Sequence, residues 1–264
     1  MNSNRHSRLL LLLVIMLGLC SLSLAQAQGD HFHWSGKLAP NQVVQIKDIN
    51  GSIDAQGSNG DTIDISAEKS GPDRDQVRVE LVQTGDGITV CAVYPGSSCS
   101  GDSNSHSHGD IHARVDFRVT LPRNLRFRGY NVNGNVNAQN MGRPVKASTV
   151  NGSVDVSSSS YVEAVSVNGA IRVSMGSSDW EGRLKISSVN GSVTLYMPED
   201  LNAEVHFSSV NGNLSTDFPL TVQGNIGFSH GPKNMTGTIG SGGRELDVST
   251  VNGSLSINKG RAAM

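Results

Sequence analysis

The sequence has few aromatic residues, few cysteines and no excess of charge of either sign. Aromatic residues make up 5%, Cys occurs three times, and 21 Lys and Arg oppose 23 Asp and Glu, for a formal net charge of −2. This balance gives no electrostatic reason to expect nucleic acid or an anionic membrane as a partner. No stretch keeps a 3.6-residue apolar period, so the pattern predicts a nearly all-β protein.

The first 27 residues have the pattern of an export signal. Arg5 and Arg8 give a basic start, Leu9 to Leu19 form an apolar run, and residues 25–27 read Ala-Gln-Ala, a small-x-small cleavage site. No later segment is apolar enough to span a bilayer. We therefore predict an exported chain, periplasmic, secreted or associated with the cell surface, with no transmembrane segment after signal cleavage.

The cysteines predict one disulfide. Cys20 lies in the signal, and lipidation there is disfavoured because Leu19 before it is not small. Cys91 and Cys99 remain, and an even count in an exported chain favours a bridge, because compartments outside the cytoplasm are oxidising. The alternative is a pair of thiols that bind a metal, but their spacing matches no common zinc pattern.

Residues 28–126 are predicted to form a strand-rich N-terminal region. Apolar and polar residues alternate, as at Ile63 and Ile65 and again at Val115, Phe117 and Val119. A period of two indicates half-buried strands. Residues 94–110 break the pattern with Gly, Ser, Asp, Asn and His, and a loop of this length is uncommon in a compact domain and is often functional.

Residues 127–259 are predicted to form a repeat region, because an Asn-Gly pair recurs along them. Successive pairs are 17 to 22 residues apart, except for a last gap of 41 residues that suggests two periods with one degenerate copy between. A fixed period near twenty is typical of stacked-repeat proteins. The pairs are Asn133-Gly134, Asn151-Gly152, Asn168-Gly169, Asn190-Gly191, Asn211-Gly212 and Asn252-Gly253, with an outlying copy at Asn50-Gly51.

Each repeat is predicted to contain two short strands around one corner. Leu184 and Ile186 share one parity before Asn190, whereas Val193 and Leu195 carry the apolar side chains after it. Because successive side chains of a strand alternate between its faces, the chain must turn at the Asn-Gly pair. We attribute the choice of Asn and Gly to their tolerance of positive φ.

Two architectures are compatible with such corners. Asn-Gly can form the tight turn of a β-hairpin, which would give an antiparallel meander. It can also form the corner of a parallel β-solenoid, where equivalent Asn side chains stack and share hydrogen bonds. The flanking Ser and Val residues recur as well. In stacked coils equivalent residues contact each other, which favours identical residues at these positions, so the parallel β-solenoid is the favoured fold.

The tracts Ser-Thr-Val-Asn-Gly-Ser-Val (148–154), Ser-Ser-Val-Asn-Gly-Ser-Val (187–193) and Ser-Thr-Val-Asn-Gly-Ser-Leu (249–255) carry a resemblance to a known family. With the early Ile-Asn-Gly-Ser-Ile copy at 49–53, residues 30–258 resemble the exported bacterial β-strand-repeat family whose members are called adhesins by analogy of fold. The resemblance implies a secretion signal and serial Val-x-Gly corners. No catalytic residues are carried over from it, and no cofactor is expected.

Histidines are the candidate metal ligands. His106, His108 and His112 lie near Asp102 and Asp110, and His31 and His33 form a His-x-His pair. Imidazoles and carboxylates at such spacings can bind zinc, copper or nickel. The tract matches no defined ligand motif, and a solvated surface loop is the alternative interpretation.

Acidic residues are the candidates for a carbohydrate-cleaving site, since glycoside cleavage typically uses two carboxylates at a defined separation. They fall at different places in the repeat, and aromatic platforms beyond Tyr161, Trp180 and Tyr196 are scarce. The acids are Asp155, Asp179, Glu181, Glu199, Asp200, Asp217, Glu245 and Asp247.

The sequence therefore predicts a non-catalytic, adhesin-like binding or structural module of the bacterial envelope, with a protein or glycan as its partner. This functional step rests on analogy of fold. A polysaccharide hydrolase or lyase is the alternative hypothesis, and a metal-responsive envelope sensor is a third.

Overall fold

The computed structural model describes residues 29–100, 111–223 and 233–260. Within these ranges a 3-10 turn, Arg74–Gln76, accompanies the strands of the N-terminal part. These strands are β1 (His31–Gly36), β2 (Val43–Lys47), β3 (Ile53–Ser58), β4 (Ile63–Ser70), β5 (Arg78–Thr84), β6 (Gly87–Val93), β7 (Arg114–Pro122) and β8 (Arg126–Tyr130).

The repeats supply the remaining strands. They are β9 (Val136–Met141), β10 (Val145–Asn151), β11 (Val154–Ser158), β12 (Val162–Asn168), β13 (Ile171–Met175), β14 (Arg183–Asn190), β15 (Val193–Met197), β16 (Ala203–Asn211), β17 (Leu214–Thr216), β18 (Leu220–Gln223), β19 (Lys233–Ile239), β20 (Arg244–Asn252) and β21 (Leu255–Lys259).

The strands form two large sheets that are mostly parallel. Sheet A has the order β1-β4-β7-β3-β9-β11-β13-β15-β21-β17, and sheet B has the order β18-β19-β16-β20-β14-β12-β10-β8-β2-β6-β5. Each repeat places its first strand in sheet B and its second in sheet A, with the Asn-Gly pair at the corner between them. The predicted parallel β-solenoid is confirmed, and the antiparallel meander is wrong for the repeats.

The register of neighbouring coils explains the repeated sequence. Asn168 pairs with Asn190 in sheet B, and Ile171 pairs with Val193 in sheet A. Equivalent residues therefore contact each other from coil to coil, which a hairpin would not require. The copy at Asn50 joins the same stack through an isolated parallel bridge to Asn133.

The last coil is inserted into the stack, out of chain order. β20 lies between β14 and β16, and β21 lies between β15 and β17. The expected degenerate copy in the 41-residue gap is wrong for the described residues, where the gap holds β18 and β19. These two strands pair antiparallel with each other, and β19 pairs antiparallel with β16.

Inward side chains of both sheets meet in one buried cluster. Ile186 and Leu195 are fully buried, and Val205 and Phe207 are nearly so. β1, β4 and β7 pair antiparallel at one end of sheet A, and β5 and β6 do so at the end of sheet B. These pairs lie beyond the parallel part of each sheet.

Candidate binding surface

An Asn ladder runs along the corner of the stack. It consists of the side chains of the seven corner Asn residues, in the spatial order Asn50, Asn133, Asn151, Asn168, Asn190, Asn252 and Asn211. Each Nδ2 donates to the Oδ1 of the preceding residue in this order, at 2.7–2.9 Å. The ladder joins every coil to the next through exposed amides.

The corner glycines are required by close approach of the backbone, and positive φ explains only two of them. Gly51 and Gly134 have φ of 147° and 141°, and none of the corner Asn residues has a positive φ. At every corner glycine, a Cβ would lie 1.7–2.2 Å from a carbonyl oxygen of the neighbouring coil or strand. The predicted positive φ is therefore wrong for most corner glycines and for all corner Asn residues.

An inner polar row lies two residues before each corner Asn. It consists of Asp48, Asn131, Thr149, Ser166, Ser188, Thr250 and Ser209, all of them buried. The side chains of Asn131, Thr149, Ser166, Ser188 and Thr250 each donate to the carbonyl of the preceding corner glycine, at 2.8–3.2 Å. Among the described residues, Ser209 Oγ and Asp48 Oδ2 have no hydrogen-bond partner.

A valine stripe lies directly beside the Asn ladder on the outer face of sheet B. It consists of the residues immediately before the corner Asn, in the order Val132, Val150, Val167, Val189, Val251 and Val210, of which Val132 is partly buried and packs against the core. Four of them are 38–41% exposed, namely Val150, Val189, Val251 and Val210. At a strand spacing of ~4.8 Å, six residues in register span about 24 Å. The stripe is a narrow apolar surface held on a rigid sheet.

Polar side chains follow the stripe on the same face. The next outward positions are Ser148, Ser187, Ser249 and Ser208, with Val165 among them, and then comes a charged row. Among these charged positions and the next ones outward, Lys146 pairs with Glu163 at 3.0 Å, and Arg183 pairs with Glu245 at 2.7 Å and with Asp247 at 3.7 Å. The hydrogen bond that Lys146 donates to Glu163 raises the pKa of Lys146, and the one that Arg183 donates to Glu245 lowers the pKa of Glu245.

Cys91 and Cys99 are joined by a disulfide whose Cα atoms are 5.6 Å apart. The bridge holds the segment after β6 against sheet B. Lys47 Nζ, on β2, donates to Ser100 O at 3.0 Å. All five residues of β2 and all seven of β6 are buried, which explains why these two strands depart from the half-buried pattern.

The candidate metal ligands do not form a cluster within the part of the chain that the structure describes. His106, His108, Asp102 and Asp110 lie outside that part. The backbone N–H of His112 donates to Asp73 Oδ2 at 2.8 Å, and His33 Nε2 lies 3.0 Å from Asp64 Oδ2. Over residues 29–100, 111–223 and 233–260, no three His, Cys, Asp or Glu side chains are grouped as metal ligands would be.

The structure divides the candidate acids between sheet A, sheet B and the segments that connect strands. Asp155 lies on sheet A, 4.0 Å from Arg172, whereas Glu245 and Asp247 lie on sheet B beside Arg183. Asp179 pairs with Arg244 in the segment before β14. Trp180 is only 1% exposed and donates its indole N–H to Glu245 O, so its ring is not available as a sugar platform.

The repeats also identify the family. A sequence model described as Toastrack DUF4097 matches residues 107–258, which include all the corners from Asn133 onward. The chain belongs to the Toastrack DUF4097 family. The predicted membership of a bacterial β-strand-repeat family is thereby confirmed, and the Toastrack match ends within β21.

The solved structures that match this Toastrack chain share little sequence with it. A candidate cell adhesion protein from Clostridium sporogenes is 12% identical, with 86% of this chain and 99% of that chain covered and a TM-score of 0.47. A candidate adhesin from Bacteroides fragilis is 11% identical, with 88% and 98% covered and a TM-score of 0.29. A candidate lipid binding protein from Parabacteroides distasonis is 13% identical, with 89% and 98% covered and a TM-score of 0.28.

No curated protein matches the sequence. Among the described residues, no helix has the length and apolar character needed to cross a bilayer. The valine stripe and the buried Asp48 were missed from the sequence. The stripe had a usable signal, since Val directly precedes Asn in tract after tract, at a position whose parity points outward.

Proposed function

We propose that the chain is a non-catalytic binding module of the bacterial envelope, and that the valine stripe contacts a protein partner. The exposed valines are the observation that supports this. Four β-branched apolar side chains of the stripe are each 38–41% exposed, and three of them, Val189, Val251 and Val210, lie in neighbouring coils. A contiguous apolar surface is unfavourable in water, and such surfaces are typical of interaction sites.

The surroundings of the stripe favour a protein over a glycan. The core of a protein interface is apolar and its rim is polar and accessible. The stripe is bordered by the amides of the Asn ladder on one side and by serines and ion pairs on the other. Because these charges are already paired, the face would contribute apolar contact and hydrogen bonds more than net charge.

Export to an oxidising compartment is part of the proposal. The bridge between Cys91 and Cys99 supports it, because disulfides persist outside the cytoplasm and are rare within it. The signal predicted at residues 1–27 lies outside the described residues. We propose a location in the periplasm, at the cell surface or in the medium.

The test is retention of the labelled, purified protein by washed bacterial envelopes. One portion of the envelopes is treated with protease, and another with periodate, which oxidises glycans. The variant Val150→Thr/Val189→Thr/Val251→Thr keeps the β-branched shape and replaces one methyl group with a hydroxyl at each site. The matched control, Ser174→Ala/Thr194→Val, alters outward positions on sheet A.

We expect saturable retention that is lost after protease treatment, survives periodate, and falls at least tenfold in the valine variant but not in the control. Equal retention of the valine variant, or no saturable retention of the wild type, would contradict the proposal. Loss after periodate alone would assign the partner to glycans instead.

A further inference from the structure

The first member of the inner polar row differs from the others in its chemistry. Asp48 lies immediately after β2, is 5% exposed, and occupies the position that Asn131 occupies in the next coil. Its Oδ1 accepts a hydrogen bond from Ile49 N at 2.8 Å, and Asn131 Oδ1 accepts one from Val132 N at 2.8 Å. The two side chains are therefore oriented in the same way.

The second terminal atom of each side chain approaches the same point in its coil. Asn131 Nδ2 lies 3.0 Å from the position of a Cβ on Gly134, and Asp48 Oδ2 lies 2.8 Å from the position of a Cβ on Gly51. Asn131 Nδ2 donates from there to Gly51 O at 2.8 Å. A hydrogen-bond donor is therefore expected where Asp48 places an oxygen.

The acceptor that corresponds to Gly51 O is the carbonyl of Val115. A Cβ on Gly134 would meet Gly51 O at 1.7 Å, and a Cβ on Gly51 would meet Val115 O at 1.8 Å. An ionised Asp48 would direct one acceptor at another within a buried site, and a buried polar atom without a partner is costly.

We propose that Asp48 is a neutral carboxylic acid in the folded protein, that its Oδ2–H donates to Val115 O, and that this bond ties β7 to the first corner of the stack in a proton-dependent way. The inference goes beyond the proposed function and does not rest on it.

Of the ionisable groups around this site, Asp48 is the one expected to change its protonation between pH 4 and pH 8. Asp116 and Arg114 face it from β7, and they are paired with each other at 2.6–2.7 Å. Burial alone would raise the pKa of Asp116, but hydrogen bonds from Arg114 and Ser52 outweigh it and lower that pKa. Tyr94, which follows β6, donates its hydroxyl to Ala113 O, and burial raises its pKa, so it stays neutral.

Burial also raises the pKa of Asp48, from 3.8 to about 8, with a smaller contribution from the charge of Asp116. Hydrogen bonds from the Ile49 and Asn50 backbone oppose the shift. Between pH 4 and pH 8 the folded chain therefore binds one proton more than the unfolded chain at this site. Its contribution to stability is full below pH 4, is lost as the pH rises towards 8, and is constant above that.

The test compares the wild type with Asp48→Asn, which places the amide of Asn131 at the equivalent position. Denaturant unfolding is measured from pH 5 to pH 7. We expect the unfolding constant of the wild type to rise, relative to that of the variant, up to tenfold per pH unit. The control Asp155→Asn, a surface carboxylate on sheet A, is expected to keep the wild-type pH dependence.

Infrared spectroscopy gives an independent measurement that needs only the folded wild type. With 13C-labelled Asp, a protonated carboxyl C=O stretch is expected at pH 6 and is expected to disappear above pH 9. Absence of this band at pH 6, or an Asp48→Asn protein with unchanged pH dependence, would overturn the proposal.

Discussion

Asn252 donates its side-chain amide to Asn190 at 2.8 Å, although 62 residues separate them. Asn211, the next corner after Asn190 along the chain, bonds to Asn252 instead, at 2.9 Å. The last coil of the sequence therefore lies in the stack between two coils that precede it along the chain. Contacts over such sequence separations carry a cost of loop closure that must be overcome before they stabilise the fold.

Deleting residues 244–264 should destabilise the protein more than the loss of a coil at the end of the stack would. The deletion removes β20 and β21, so β16 keeps only β19 as a neighbour in sheet B. We expect residues 203–239 to become protease-sensitive under native conditions, as shown by mass spectrometry of the fragments. Deletion of residues 261–264 alone leaves β21 intact and serves as control. Equal resistance of both truncated proteins would contradict the observed strand order.

Gly191→Ala should destabilise through a collision of backbone atoms. The new Cβ would lie 2.0 Å from Gly169 O in the neighbouring coil, and overpacking of this kind costs ~1–3 kcal/mol. Gly85→Ala is the matched control, because nothing lies within 4 Å of its Cβ position. For Gly85→Ala we expect the free energy of unfolding to rise by ~0.4–1 kcal/mol, because Ala restricts the unfolded chain more than Gly does. Denaturant unfolding of both variants measures the contrast, and a neutral Gly191→Ala would refute the close-approach explanation.

Asn190→Ala should weaken the stack by breaking the Asn ladder. Asn190 donates to Asn168 and accepts from Asn252, both at 2.8 Å. At a net ~0.5–1.5 kcal/mol for each bond, and less for exposed bonds, we expect a loss of about 1–2 kcal/mol. Asn59→Ala, in the turn between β3 and β4, should change stability by no more than ~0.5 kcal/mol. If thermal and denaturant unfolding gave the same loss for both variants, the ladder would not be a source of stability.

Asn59-Gly60 shows the limit of the sequence pattern. It is the same dipeptide as in the repeats, yet it lies outside the Asn ladder. Inward residues such as Ile186 and Leu195 were predictable, because a period of two fixes which side chains share a face. The partners of the inner polar row were not predictable, because Asp48 faces the Val115 carbonyl only once β7 is in place.

The reason for the corner glycines was also hidden from the sequence. Both positive φ and close backbone approach select Gly, and only the position of the neighbouring carbonyl separates them. The exposure of the valine stripe was likewise not predictable from the sequence. The parity of these valines points outward, but exposure depends on whether another segment of the folded chain covers them.

The sequence by itself determined the corner positions and the inward faces and favoured the parallel solenoid, since these follow from a local period and from side chains that must match in adjacent coils. The tertiary structure alone decided the order of the coils. All coils offer nearly the same Ser-Val-Asn-Gly edge, so the local sequence does not distinguish one neighbour from another. The antiparallel pairing of β19 with β16 closes one side of β16, and the remaining side, facing β14, receives β20.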